Sequence, residues 1–265
     1  MKPIQFFIIL LLLSGFHFAD AQIARPRNPD FDPKPMTMAP NPKNPFDVLG
    51  QEHNDGVAEI GNLLGWRKYP KDTLYNKTVW YMTKEGYNDF ATQYNARKNF
   101  YQSAPTKTAT QIDSMLLKQG ATRTEIAYMH RLMTIMDNPK LTSASDVIAA
   151  IKQMEDQVMA DATISADVEN LFLASASVAR YSLELWDGMA QTNPSVLGIS
   201  NTGSTESFSK VKSVAKADLA AGVAGAVGTG IKGFLVGGLM GAAVGVGAGF
   251  LGGAIGGSIA AALFD

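Results

Sequence analysis

Seven glycines, Gly233, Gly237, Gly241, Gly245, Gly249, Gly253 and Gly257, stand at an unbroken spacing of four near the C-terminus, preceded by Gly225 and Thr229 and continued by Ala261. At that spacing each residue lies one helical turn above the last, so the row forms a groove without side chains into which another helix can settle closely. Because 3.6 residues make a turn, the row drifts by about 40° per step. Two shorter helices folded back on each other use such a row better than one long straight helix does. The spacing therefore predicts a glycine-zipper hairpin over 210–265, turning near Val236 to Gly241. Between Lys232 and Asp265 stand 32 uncharged residues, eleven of them glycine. At about 1 kcal/mol each relative to alanine these glycines cost an isolated helix about 11 kcal/mol, more than translocon-type insertion energies of the hydrophobes present return. Association through the groove or a lipid environment has to tip the balance. Lys210, Lys212 and Lys216 precede the hairpin and suit an anionic membrane surface, or equally a solvated helical face.

The other end of the chain reads as export. Lys2, the apolar run Phe6 to Leu13 and Ala19-Asp20-Ala21 form a secretory signal over 1–21, because the run is too short to span a bilayer. Seven of the twelve prolines then fall between Gln22 and Phe46. They mark 22–43 as an extended, semi-rigid tether. With no cysteine the chain excludes disulfide scaffolds, thiolate metal sites and cysteine nucleophiles, and 23 basic against 24 acidic residues exclude the basic excess of a dedicated nucleic-acid binder.

Between tether and hairpin, residues 44–190 repeat at helical spacing, and strand-type alternation is almost absent. Asn44, Pro45 and Asp47 read as a helix start, followed by the face Phe46, Leu49, His53, Val57, Ile60 and Leu64 to an end near Gly65 or Trp66. Arg67 to Thr83, with Pro70 and several aromatics, reads as an ordered loop or short hairpin. A helix over Lys84 to Gln102 is expected to bury Tyr87, Phe90, Tyr94 and Tyr101. Another follows over Thr108 to Gln119. Thr122 and Glu125 form a capping box ahead of the Ile126, Met129, Met133, Met136 stripe, and Ser143 with Asp146 opens the next helix. The longest runs from Ser165 to Met189. Residues 191–209, rich in Ser, Thr, Asn and Gly, read as a linker. The fold class is all-α: a helical bundle with a C-terminal glycine-zipper hairpin.

No catalytic pattern stands out. Gly228, Gly230 and Gly233 match a dinucleotide fingerprint only by composition, since no strand precedes them and no acid follows at the required distance. His53 and His130 both fall on apolar helix faces and read as satisfied core histidines rather than catalytic or metal groups, and the methionine stripe reads as core. No metal or cofactor is expected.

The segment Asn44 to Asn54, N-P-F-D-V-L-G-Q-E-H-N, resembles an N-x-x-D-x-x-G-x-x-H-N element that opens a group of exported proteins of Bacteroidota-type bacteria; Asn44, Asp47, Gly50, His53 and Asn54 all match it. Some of these chains also end in a glycine- and alanine-rich segment like a class II bacteriocin. The resemblance implies export and carries no established activity. The sequence thus points to an exported, non-enzymatic protein whose hairpin associates with membrane lipid, or with itself in a homo-oligomer, in a toxin-like or envelope-anchoring role. The alternative is a soluble binding or structural module with the hairpin packed against the helical domain.

Overall fold

Helix starts follow the side chains able to cap them. Thr122 Oγ1 accepts from the Glu125 N–H while the Glu125 carboxylate accepts from the Thr122 N–H, closing the expected capping box. Ser143 Oγ likewise accepts from the Asp146 N–H. Gly120, at φ +92°, ends the preceding helix as expected. The structure, a computed structural model, describes residues 36–96, 98–103, 109–118, 120–200, 204–229 and 246–263. Residues 1–35, holding the expected signal peptide and most of the tether, lie outside the described residues. So do Gly233, Gly237, Gly241, Gly245 and the expected turn at 236–241.

Among the described residues the chain is all-α and has no β-strand. In order the helices are α1 (Asp47–Leu63), α2 (Lys71–Lys84), α3 (Asn88–Ala96), α4 (Lys98–Ser103), α5 (Ala109–Lys118), α6 (Arg123–Asp137), α7 (Ala144–Ala160), α8 (Ala166–Thr192), α9 (Thr205–Thr229) and α10 (Val246–Leu263). A 3-10 turn, Pro194–Leu197, follows α8. The centre is α8, α9 and α10. Helix α1 packs on α8 and α10, α2 to α4 cover α10, α7 lies on α8, and α5 and α6 cover α9.

Four expectations need correction. The stretch Arg67 to Thr83 is not a loop: α2 begins directly after Pro70, which stands at the N-cap, where a proline opens a helix instead of breaking it. Leu74, Tyr75, Thr78, Tyr81 and Met82 then form its buried face. The helix expected over Lys84 to Gln102 is split, because Gly86 at φ +93° closes α2 and the chain restarts as α3 and α4. The expected linker 191–209 contains the end of α8, the 3-10 turn and the first turn of α9. The strap Met36–Lys43, read as tether, is fastened to the bundle: the Thr37, Met38 and Ala39 N–H groups all donate to the Glu184 carboxylate, and Lys152 Nζ donates to the Pro40 carbonyl.

Helix α10 has two glycine faces. On one, a Cβ at Gly253 would stand 2.5 Å from the Ala221 carbonyl oxygen, and one at Gly225 on α9 would stand 2.0 Å from the Gly249 oxygen. Here the two backbones touch, as the zipper row predicts; Gly257 of the same row is also buried. The second face was not expected. Gly252 and Gly256 receive the rings of Phe90 and Tyr75, each within 2.5 Å of where a Cβ would be. Those rings belong to a cluster with Tyr94 and Tyr101 in which Tyr75 stacks on Tyr94 at 5.6 Å and Phe90 meets Tyr101 edge-on at 5.5 Å. Two of the three lysines read as suiting either a membrane surface or a solvated face are instead bound to the bundle. Lys212 Nζ donates to the carbonyls of Asn138 and Leu141, and Lys216 pairs with Asp137, so both satisfy the C-terminus of α6.

Gly225→Ala and Gly253→Ala are expected to destabilise the domain by about 2 kcal/mol or more, because the new methyl meets backbone that cannot rotate away. Gly188→Ala in α8, where an added Cβ meets nothing, is expected to stabilise it by about 1 kcal/mol. Urea titrations of the three variants check both signs.

Candidate functional site

The five motif residues lie at the start and along one side of α1, and each reaches a polar partner on the central helices. Asn44 sits before the helix: its Oδ1 accepts from the Phe46 N–H, and its Nδ2 donates to Glu155 Oε1 and to the Leu173 carbonyl. Asp47 Oδ1 accepts from Arg180 Nη2 at 2.6 Å, and its Oδ2 accepts from the Tyr181 hydroxyl. At Gly50 the N–H donates to Ser177 Oγ, which itself donates to the Asp47 carbonyl; a Cβ there would stand 2.4 Å from the Tyr181 ring. Asn54 Nδ2 donates to the Tyr181 carbonyl. Its oxygen therefore faces His53 Nδ1 at 3.0 Å.

Two polar clusters inside the bundle result. In the first, Arg180 on α8 binds Glu155 on α7 through Nε and Nη2, with Asn41 and Asn44 completing the carboxylate and the partly exposed Asp47 also binding Nη2. Both Arg180 and Glu155 have no exposure. Burying an ion pair is costly unless the remaining donors and acceptors are satisfied; Asn41 and Asn44 do this for the Glu155 carboxylate and Asp47 for Arg180 Nη2, while Arg180 Nη1 is left buried without a partner.

The second cluster joins the hairpin to the bundle. Asp218 on α9 accepts from Ser182 Oγ of α8 and from Ser258 Oγ of α10 at 2.9 Å, and Ser258 accepts from Trp186 Nε1 at 3.1 Å. His53 Nε2 of α1 stands 3.6 Å from the same carboxylate oxygen. Four helices meet at this carboxyl. Burial lifts Asp218 to about 8, against the opposing pull of the Ser182 and Ser258 hydroxyls. Burial likewise drives His53 down to about 4 against the pulls of Asn54 and the Ala254 carbonyl. Across neutral pH the pair is therefore an uncharged acid beside an uncharged imidazole, and it holds a single proton on Asp218.

A serine, a histidine and an aspartate meet here, but not as a nucleophile would need. Both hydroxyls point at the carboxylate instead of the imidazole, and every member is enclosed. The arrangement locks helices together. Among the described residues no group of three or more His, Asp or Glu side chains could hold a metal ion. The expectation for His130 needs correction: its side chain is 48% exposed and pairs with Asp113 at 2.7 Å, because α6 turns Met129, Leu132 and Met133 inward and His130 outward. Arg180, Glu155, Asp218, Ser182, Ser258 and Trp186 were not singled out in the sequence. Two signals were available: Arg180 is the one charge within Leu171–Leu183 of the apolar helix α8, and Asp218 the one acid between Ala217 and Phe264. Against known proteins, no family model, curated protein or solved structure matches the chain.

The linked protons give a defined pH profile. Between about pH 4 and 6.5 the unfolded chain holds the proton on histidine and the folded chain on Asp218, so the pair adds no slope. From about 6.5 to 8 only the folded state keeps the proton, so stability falls as pH rises, by roughly 2 kcal/mol at 1.36 kcal/mol per pH unit. Asp218→Asn, which keeps the acceptor for both serines and cannot ionise, is expected to flatten this alkaline fall in urea midpoints read from pH 6.5 to 8.5. Arg180→Ala, which strands Glu155 in the core, is expected to cost roughly 3–5 kcal/mol by the same measurement.

Proposed function

We propose that the protein is an exported, non-enzymatic binding or structural module in which the glycine-rich hairpin is the core of the helical domain. The observation that carries this reading is the double use of the α10 glycines: Gly253 admits the α9 backbone, and Gly252 and Gly256 admit Phe90 and Tyr75. Packing within one chain thus gives Gly225, Gly252, Gly253 and Gly256 a use that needs neither lipid nor a second copy. The buried carboxyl of Asp218, tied to α8 and α10, supports the same reading, since withdrawal of the hairpin would break its bonds to Ser182 and leave it without the His53 ring. No helix among the described residues is long and apolar enough to cross a membrane.

The second reading, in which the hairpin leaves the bundle and inserts in a bilayer in a toxin-like or anchoring role, is favoured by one feature: α10 contains no charged residue. A thiol placed by Ala260→Cys separates the two, because the chain has no other cysteine and Ala260 is buried. The module reading expects this thiol to resist a maleimide reagent and lipid-borne quenchers alike, with or without vesicles. Labelling that appears on adding vesicles, with quenching by brominated acyl chains, would establish insertion in its place.

A further inference from the structure

We infer that the corner formed by the end of α1, the α1–α2 loop and the outer face of α2 is a docking surface for an anionic lipid bilayer. The inference rests on the module reading and names its partner. Charge is distributed unevenly: the whole chain has net charge −1, yet the 22 residues Leu63 to Lys84 hold five basic residues against one acid, a net of +4. The single acid, Asp72, is taken up by Lys98 at 2.7 Å from outside the segment. Glu59 and Glu85 both approach Lys84, so the field outward comes mainly from the loop and the middle of α2.

Two of the few large apolar side chains left exposed in the described structure lie here, Leu63 at 52% and Trp80 at 42%. The Trp80 indole is flanked by Lys77 and Lys84, whose ammonium groups stand 5.9 and 5.5 Å from the ring centroid. Helices α1 and α2 are bridged by Lys84 and Glu59, and one turn further along each come Trp80 and Leu63. Arg67 and Lys68 are exposed in the loop between them. An indole with cations beside it suits the headgroup layer of a bilayer, where the ring sits among carbonyls and the amines meet phosphates. A soluble acidic partner would take up the charges and leave Leu63 and Trp80 without a reason to be exposed.

The loop is rigidly mounted. Trp66 takes φ +53°, unusual for a residue with a side chain, and its N–H donates to the Gly61 carbonyl. Its ring fills the space above Gly61 and meets Trp186 edge-on at 6.2 Å. The Tyr69 N–H donates to the Leu263 carbonyl, so the loop is also fastened to the end of α10. A bilayer bound here lies against a fixed surface over the packed hairpin, and adsorption needs no release of α10.

The test is flotation of the full-length protein with vesicles of phosphatidylcholine containing 30% phosphatidylglycerol, beside vesicles of phosphatidylcholine alone. Binding is expected only to the anionic vesicles, reversed by 0.5 M salt. The variant Arg67→Gln, Lys68→Gln, Lys77→Gln is expected to partition roughly a hundredfold less, since each basic side chain near such a surface contributes about fivefold. These residues are on the surface, so an unchanged urea midpoint is the check on folding, and salt reversal of the unaltered protein is a readout free of any variant. A blue shift of tryptophan emission on binding is expected to vanish in Trp80→Phe. Equal binding to neutral vesicles, wild-type partition of the neutralised variant, or charge-dependent binding to heparin with none to vesicles would each overturn the inference. The Ala260 thiol reports separately: its exposure to lipid defeats the module reading, whereas failed flotation with a protected thiol defeats only the docking surface.

Discussion

Everything central in this domain depends on how closely α9 and α10 approach. Helix α10 has six glycines among eighteen residues, a helix-propensity cost of about 6 kcal/mol relative to alanine, so it has little reason to be helical alone. It becomes helical because its backbone is in van der Waals contact on two sides, with α9 through Gly225, Gly249 and Gly253 and with aromatic rings through Gly252 and Gly256. The residues that weaken the helix are those that let its neighbours touch it. Removing the sheath would therefore remove the helix, and the bundle and hairpin are one folding problem.

Close apolar packing fixes distance better than it fixes rotation or sliding, and the buried polar clusters supply what is missing. Asp218 accepts from one residue of α8 and one of α10 and faces the His53 ring of α1, so a slip of α9 by one turn would strand a carboxyl in a dry interior. Keeping that carboxyl protonated and the facing imidazole neutral avoids two buried charges at once. The pair also takes no net proton from solvent on folding between about pH 4 and 6.5, so mild acid does not act as a trigger on this lock. The Arg180 cluster, two residues before Ser182 on α8, does the corresponding work by pairing Arg180 with Glu155 of α7 and Asp47 of α1.

The all-α class, the capping box of α6, the start of α7 and the α9-facing glycines were legible, because each depends on local spacing or on one residue's effect on its own backbone. The split after Gly86 and the helical nature of α2 were missed where Pro70 and the aromatics suggested a breaker; one of those aromatics, Tyr75, in fact fills the α10 glycine face beside Phe90 of α3. That second face is visible only once α2 and α3 are known to lie beside it. The clusters were half legible. A lone Arg in α8 and a lone Asp in α9 announce buried partners, but which serine, histidine or tryptophan answers them is set by how separate helices pack, with partners 36, 40 and 72 residues apart for the serines and Trp186 and farther still for His53.

The motif on α1 acquires a physical meaning from this arrangement. Each step of three residues falls about 60° short of a full helical turn, so residues spaced by three wind slowly around a helix instead of forming a straight stripe. Asn44 and Asp47 accordingly reach Glu155 and Arg180, Gly50 meets Ser177, and His53 and Asn54 arrive at Asp218 and the Tyr181 carbonyl. One short helix is thereby set in register against α7, α8 and α9 together. The polar groups of the motif are thus committed to holding helices, with only the Asp47 side chain partly exposed. On the outside of the same helix pair, basic and exposed apolar side chains gather between Leu63 and Lys84, five basic residues against one acid with Leu63 and Trp80 exposed, so the inner and outer faces of α1 and α2 differ sharply in character.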